Sequence, residues 1–171
     1  QTGARLSACV ANKLRKFNFE IVKTGEPNAF ALPGGFIFVT RPLLELCEWQ
    51  QDEIAFILGH EMGHVMRGHA MERLINCSAI NIAGAVAPVQ GIFSGWLRAA
   101  GVKFLESAYS QNQELTADQL GMRLLDAAGY NPAAAEKLLM RLAKLHPADS
   151  NSLNHYFSSH PAIEERIRNI K

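Results

Sequence analysis

Apolar residues recur at helical spacing over most of this chain and at strand spacing near its start. Residues 2–17 place apolar side chains three or four positions apart, which predicts an amphipathic helix. Residues 19–23 alternate and predict a strand, and residues 28–40 predict two short strands broken by Pro33-Gly34-Gly35. Because short strands are marginal alone, we expect all three to pair and to pack on the helices.

Helical spacing dominates the remainder of the chain. It predicts helices over residues 42–49, 51–75, 104–129, 132–146 and 161–170, with a polar loop at 147–159. Gly59 and Gly63 interrupt the second of these helices, and close backbone packing or an adjacent metal site is a reason for glycine there. The predicted fold class is α+β, predominantly α-helical, with a small β-sheet.

The run from residue 74 to 97 carries no charged residue, and its length alone favours a transmembrane helix. Its asparagines, glycines and Pro88 make it only weakly apolar, so we predict no transmembrane helix. A broken helical hairpin that packs on the body fits better, or one that brings residues 77–97 against a membrane or a partner. A lid over a functional site is the alternative.

Composition predicts one soluble globular domain over residues 1–171, with 48% hydrophobic and 19% charged residues. A net charge of +1 gives no electrostatic footprint for nucleic acid. The chain begins at Gln1, so we expect a processed form or a domain of a longer protein. Cys9, Cys47 and Cys77 show no disulfide or metal spacing and predict buried free thiols.

The chemistry of the chain centres on the segment His60-Glu61-Met62-Gly63-His64 within the predicted helix 51–75. On a helix, His60 and His64 project from one face, where two imidazoles can hold one Zn²⁺ ion. Glu61 is then placed to take a proton from a water molecule. Only three positions of this motif are fixed, so helical surface histidines beside a carboxylate are an equal alternative.

A zinc site of this kind needs a third ligand, and Glu114 is the candidate. Glu114 lies on a separate predicted helix, and Asp118 follows one turn later on the same face. A glutamate completes a two-histidine site, and Asp118 is suited to accept the second N–H of a ligating histidine. By spacing alone, Glu106 is only slightly less suitable than Glu114.

His69 is an alternative third ligand that the spacing excludes. A three-histidine site would require glycine at position 67 and histidine at position 70, whereas this chain has Arg67 and Ala70. On a continuous helix His69 would point away from the two ligands. We therefore expect it on the surface or behind the metal site.

Four segments occur in one order: residues 28–35, residues 58–65, Glu114 with Asp118, and residues 159–167. Together they resemble the HtpX and CaaX-prenyl-protease type of zinc metallopeptidase, a gluzincin family that includes periplasmic and mitochondrial Oma-type members. The resemblance implies a zincin-like catalytic domain with one Zn²⁺ per chain. It assigns His60, His64 and Glu114 as zinc ligands, Glu61 as general base and Asp118 as their support.

The resemblance also changes the interpretation of three other regions. Periodicity alone favours an ordinary sheet edge at residues 28–32, but the family uses this edge to align substrate through Asn28, Ala29 and Phe30. His160 alone predicts a solvated turn residue; in the family this histidine lies near the metal, where it stabilises the oxyanion or blocks the zinc. Arg166 is a weaker candidate, and a surface helix position is its alternative.

The expected function is therefore hydrolysis of extended, unfolded or misassembled polypeptides by a zinc endopeptidase. A zinc-stabilised chaperone or interaction module, or a latent protease blocked by His160, are the alternatives. Membrane-embedded members of the family carry transmembrane helices that this chain lacks. The resemblance thus favours a quality-control protease of the bacterial periplasm or of a membrane surface.

Overall fold

The computed structural model describes residues 1–23, 25–82, 107–145 and 153–170. Within these residues the chain forms eight helices and three strands. In chain order they are α1 (Thr2–Ala8), β1 (Asn18–Val22), β2 (Ala29–Leu32), β3 (Phe36–Thr40), α2 (Arg41–Leu46), α3 (Gln51–Arg67), α4 (His69–Ile82), α5 (Gln111–Ala127), α6 (Ala133–Leu145), α7 (Asn154–Ser159) and α8 (Ile163–Ile170). The predicted α+β class is confirmed.

The three predicted strands form one mixed sheet in the order β1-β3-β2. The central strand β3 pairs in parallel with β1 and antiparallel with β2, so that Ile37 lies opposite both Phe19 and Ala31. Gly34 and Gly35 allow the tight β2–β3 turn because both adopt positive φ angles, +91° and +90°. This order makes β2 an outer strand, and its Ala29 and Ala31 side chains are buried beside α3.

Helices α3 and α5 make the most extensive packing in the described part of the chain, and glycines permit it. A Cβ atom on Gly63 would lie 2.8 Å from the Ala117 carbonyl oxygen, and one on Gly121 would lie 2.9 Å from the backbone nitrogen of His60. No side chain fits at either contact. Gly63 weakens α3 as an isolated helix, but together with Gly121 of α5 it lets the two backbones touch. Close backbone packing at Gly63 is one of the two reasons for glycine that the sequence suggests.

The apolar core surrounds this helix pair. Its largest fully buried apolar side chains come from α1, β3, α2, α3, α5 and α6: Leu6, Ile37, Leu43, Phe56, Met62, Leu125, Leu138, Leu139 and Leu142. The predicted apolar stripe of α6 is confirmed at its three central leucines. Cys47 is a buried free thiol, as predicted, whereas the free thiol of Cys9 is only partly buried.

The first helix is shorter than the periodicity predicts, because α1 ends at Ala8 instead of continuing to residue 17. The Lys13 ammonium donates to the Ala8 carbonyl oxygen, and the Asn12 side chain accepts from the Leu14 amide. These local bonds replace the next helical turn. Leu14, predicted to lie on the buried stripe, is instead 90% exposed.

The predicted helix 51–75 is two helices. Gly68 ends α3 in the left-handed conformation, with φ at +81°, and its amide donates to carbonyls of the last turn. His69 then begins α4 as a separate helix. The single-helix prediction was wrong because a glycine at this point also serves as a helix C-terminus.

Two other boundaries differ from prediction. Helix α5 begins at Gln111, not at residue 104, and Ser110 and Gln113 form a reciprocal capping box at its start. Residues 154–159, predicted as loop, form the short helix α7.

The predicted hairpin between residues 74 and 97 lies largely outside the described residues, which include α4 up to residue 82. Among the described helices, none combines the length and the apolar character that a membrane crossing requires.

Candidate metal centre

The three predicted metal ligands lie together where α3 and α5 touch. The Nε2 atoms of His60 and His64 are 3.0 Å apart. The Glu114 carboxylate places Oε1 3.2 Å from His64 Nε2 and Oε2 3.6 Å from His60 Nε2. All three side chains are at most 3% exposed. The glycine contacts between the helices allow this approach.

The chemistry of these groups fits a divalent metal ion. One ligand atom from each of His60, His64, Glu114 and His160 lies within 4.8 Å of the others. Burial holds the pKa of His64 well below its usual value, so its imidazole is neutral and keeps a lone pair for a metal. Burial raises the pKa of Glu114, but the positive charges of His160, Arg166 and His60 together lower it by more. The pKa of Glu114 is therefore well below its usual value. Neutral imidazoles with a carboxylate are typical zinc ligands.

Asp118 and Arg166 lie directly behind these groups. Asp118 Oδ1 is 2.7 Å from His60 Nδ1, which directs the opposite nitrogen of that ring toward Glu114. Arg166 donates to both oxygens of Asp118, at 2.8 and 2.9 Å, and its Nη1 lies 2.9 Å from Glu114 Oε2. Burial raises the pKa of Asp118, but Arg166 and His60 lower it to about 2. Arg166 is completely buried, so the surface alternative for this residue was wrong.

Glu61 is buried beside the predicted ligands, and its carboxylate makes few polar contacts with the described residues. Its Oε1 lies 3.5 Å from His160 Nε2. Its Oε2 is shielded from solvent and accepts no hydrogen bond from any described residue. A buried carboxylate oxygen without a partner is costly, and such groups are common where a ligand or reactant completes the site.

His160 follows α7 and is completely buried at the centre, so the expectation of a solvated turn residue was wrong. Its Nδ1 lies 3.1 Å from Glu114 Oε1 and 3.3 Å from His60 Nε2, and its Nε2 lies 3.2 Å from the Ala29 carbonyl oxygen. Burial lowers the pKa of His160, but the carboxylates of Glu114 and Glu61 raise it more, so the net pKa is raised. His160 therefore links the ligand cluster to strand β2.

The backbone of β2 presents only alternate residues to its outer edge. The Asn28 carbonyl accepts from the Thr40 amide and thus faces β3, whereas the Ala29 carbonyl faces His160. Phe30 again turns its backbone toward β3 by the alternation of an antiparallel pair, and its ring stacks on Phe38. Of the three predicted substrate residues, Ala29 is the one whose backbone reaches the centre.

Two further rings contact His64; the sequence left His69 between the surface and a position behind the metal site, and it gave no sign of Tyr109. His69 Nδ1 lies 3.1 Å from His64 Nδ1, and the Tyr109 ring stacks on the His64 ring with 3.6 Å between centroids. Arg73 lies over the Tyr109 ring, 4.5 Å from its centroid. The signal for His69 was Gly68, because a helix that ends there returns the next residue toward α3.

Comparison with known proteins identifies the family. The sequence model of peptidase family M48 matches residues 1–171. The chain belongs to this family. Its relatives include the metalloprotease LoiP of Escherichia coli, 33% identical over 90% of this chain and 61% of LoiP. The mitochondrial metalloendopeptidase OMA1 of Schizosaccharomyces pombe is 30% identical over 91% of this chain and 46% of OMA1.

A third relative, the β-barrel assembly-enhancing protease of Yersinia pestis, is 30% identical over 82% of this chain and 31% of its own length. The chain thus spans about half the length of the curated relatives it matches. Membership of the M48 family confirms the predicted resemblance and the predicted enzyme class, a metallopeptidase.

Proposed function

We propose that residues 1–171 form the catalytic domain of a zinc-dependent endopeptidase that cuts unfolded or misassembled polypeptides. The observation that carries the proposal is the convergence of His60, His64 and Glu114 within 4.8 Å, with the partner-free oxygen of Glu61 beside them. Membership of the M48 family supports the reaction class. The relatives' names support endopeptidase activity specifically.

His60, His64 and Glu114 would hold one zinc ion per chain. Bound zinc supplies Lewis-acid chemistry, which acidifies a water molecule and polarises a peptide carbonyl. Glu61 takes the proton from the attacking water and returns it to the leaving amine. Asp118 holds His60 by a hydrogen bond, and Arg166 holds Asp118 by hydrogen bonds and Glu114 by an ion pair, so these two residues keep His60 and Glu114 in position.

The outer edge of β2 is the proposed binding surface for the substrate. An extended peptide adds to such an edge through backbone hydrogen bonds, which any sequence can make. The backbone of Ala29 faces this edge beside the metal centre, where its carbonyl contacts His160, so its amide is the group proposed to bond a substrate. A folded protein cannot present a free extended segment, so selection by backbone favours unfolded chains.

His160 has two proposed roles, and its geometry supports both. As a donor it stabilises the negative charge that develops on the carbonyl oxygen during attack. With the Nε2 proton donated to the Ala29 carbonyl, however, the Nδ1 lone pair faces Glu114 and His60, which is the arrangement of a fourth ligand. The second role would make the resting enzyme latent.

We propose the periplasm or a membrane surface as the location of the protein.

The test compares the wild-type protein with Glu61→Gln on an unfolded protein such as casein, with bound zinc quantified in both. We expect one zinc per chain in both and a loss of hydrolysis of about 10²–10⁴-fold in the variant, the usual contribution of a general base. Glu45→Gln, at an exposed carboxylate paired with Arg41, is the matched control. Folded substrate cut faster than unfolded substrate would contradict the proposed selectivity.

A wild-type protein that binds zinc but does not cut requires a second experiment. If both the wild-type and the Glu61→Gln proteins bind zinc and neither cuts, the variant His160→Ala distinguishes a latent protease from a binding module. Activity that appears in this variant indicates a latent protease. Continued inactivity supports a zinc-stabilised module that binds unfolded chains without cutting them.

A further inference from the structure

We propose that His69 is a positioning residue that fixes the His64 imidazole for metal binding by accepting a hydrogen bond from His64 Nδ1. The inference rests on the proposed function to the extent that His64 is taken as a ligand. His69 would be a fifth residue of the centre. The other four are the residues whose ligand atoms lie close together: His60, His64, Glu114 and His160. The residue acts through His64 and not on the substrate.

The hydrogen-bond geometry assigns the direction of this contact. His64 Nε2 faces the other ligand atoms, 3.0 Å from His60 Nε2 and 3.2 Å from Glu114 Oε1. A nitrogen that binds a metal carries no proton, so the proton of neutral His64 must lie on Nδ1. His69 Nδ1, 3.1 Å away, then accepts a hydrogen bond from this N–H through its lone pair, and the proton of His69 lies on its Nε2.

The two ligating histidines are therefore held by different groups. His60 donates to the Asp118 carboxylate, which Arg166 holds in turn. His64 has no carboxylate at its Nδ1 among the described contacts and has His69 instead. Metal-ligating histidines almost always donate their second N–H to such a partner, and its loss typically costs 10- to 100-fold in metal affinity.

Local structure explains how His69 reaches this position. Gly68 ends α3 with a left-handed conformation, and His69, as the first residue of α4, lies beside the last turns of α3. His69 is 9% exposed, and its ring centroid is 5.2 Å from that of His64. One turn later, Arg73 covers the face of Tyr109, which stacks on His64. The first turn of α4 thus restrains His64 through its edge and, by way of Tyr109, through its face.

The test separates a hydrogen-bond acceptor from a space-filling group. Asparagine places Oδ1 near the position of histidine Nδ1 and can accept the same bond, whereas leucine fills similar space and accepts nothing. We expect His69→Leu to weaken zinc binding by about 10- to 100-fold and His69→Asn to retain most of the affinity. Met71→Ala, two residues later on α4 and 48% exposed, is the matched control.

Zinc affinity is measured by competition with a chromophoric chelator, and Co²⁺ bound in place of zinc reports ligand geometry through its visible absorption spectrum. We expect an altered Co²⁺ spectrum in the leucine variant and the wild-type spectrum in the asparagine variant. Urea unfolding of the metal-free proteins shows whether each variant folds. If the leucine variant does not fold, the asparagine variant decides the question alone.

Two results would overturn the proposal. Wild-type zinc affinity in the leucine variant would show that no acceptor is needed at Nδ1. Equal losses in the leucine and asparagine variants would show that His69 acts through shape. Failure of the wild-type protein to bind zinc would instead contradict the proposed function, so the two failures are distinguishable.

Discussion

At the scale of single residues, Arg166 connects two buried carboxylates of the centre. Its guanidinium is completely buried and contacts Asp118 and Glu114, which lie one turn apart on α5. A planar fork can hold two carboxylates at once, which a lysine ammonium cannot do with the same geometry. A residue that sequence alone places equally well on the surface is thus central to the site.

Replacement of Arg166 by leucine should destabilise the metal-free protein by about 3–5 kcal/mol, because two buried carboxylates lose their cationic partner. Equilibrium unfolding in urea, with a chelator present, measures this loss. The control is Arg168→Leu, whose side chain is 69% exposed and pairs with Glu165, and which should change stability by less than about 0.5 kcal/mol. Similar losses in the two variants would contradict the role of Arg166.

Residue-scale prediction from sequence succeeded where chemistry follows local spacing. The four-residue separation of His60 and His64 and the four-residue separation of Glu114 and Asp118 each fix a shared helix face. The contact of His69 with His64 depends on the left-handed end of α3 at Gly68, which helical periodicity does not indicate. The burial of Arg166 depends on how α8 packs against α5, a tertiary fact that no local pattern contains.

At the scale of elements, the separation of α3 and α5 determines whether the ligands can meet. His60 and His64 belong to one helix and Glu114 to the other, so the distance between the helices sets the distance between the ligands. Gly63 sets that separation through its contact with Ala117.

Gly63→Ala should weaken zinc binding and destabilise the fold by about 1–3 kcal/mol. An added Cβ would lie 2.8 Å from the Ala117 carbonyl oxygen, so the helices must separate. Alanine normally stabilises a helix interior by about 1 kcal/mol relative to glycine, so the sign of the change is diagnostic. Gly59→Ala, whose Cβ would meet Gly121 at 3.2 Å, should cost less. Unfolding curves and chelator competition measure both; a stabilised Gly63→Ala protein would refute the close contact.

Element boundaries were predictable where the sequence carries an explicit end signal. Asn131 caps α6 through the Ala133 amide, as its place before Pro132 suggests. The early end of α1 depends on the side-chain bonds of Lys13 and Asn12, which compete with a periodicity that favours more helix. The amphipathic pattern was real, but local hydrogen bonds outweighed it.

At the scale of the whole molecule, the centre joins elements that are far apart in sequence. His160 follows α7 and contacts His60 of α3, Glu114 of α5 and the Ala29 carbonyl of β2. Arg166 lies on α8 and contacts His60 of α3 and Glu114 of α5. An ion held here binds the folded chain and not the unfolded one, so it stabilises the fold by mass action.

Zinc removal should therefore lower the thermal midpoint of the protein. At free zinc 100 times above the dissociation constant, the stabilisation is about 2.7 kcal/mol, which corresponds to about 5–10 °C for a chain of this size. Thermal unfolding followed by circular dichroism, with and without chelator and then with zinc restored, measures the shift. A midpoint that does not depend on zinc concentration would contradict a site that joins these elements.

The buried groups of the centre also have an electrical consequence. Three carboxylates, Glu61, Glu114 and Asp118, lie beside one guanidinium, that of Arg166, and all are at most 2% exposed. The carboxylates outnumber the guanidinium, and His160, whose pKa is lowered by burial but raised more by Glu114 and Glu61, is another buried group beside them that can carry positive charge. An interior of low polarisability tolerates an excess of negative charge poorly. A cation bound among these groups offsets the negative charge. The composition of the core thus favours a cation at the centre, before any preference for coordination geometry applies.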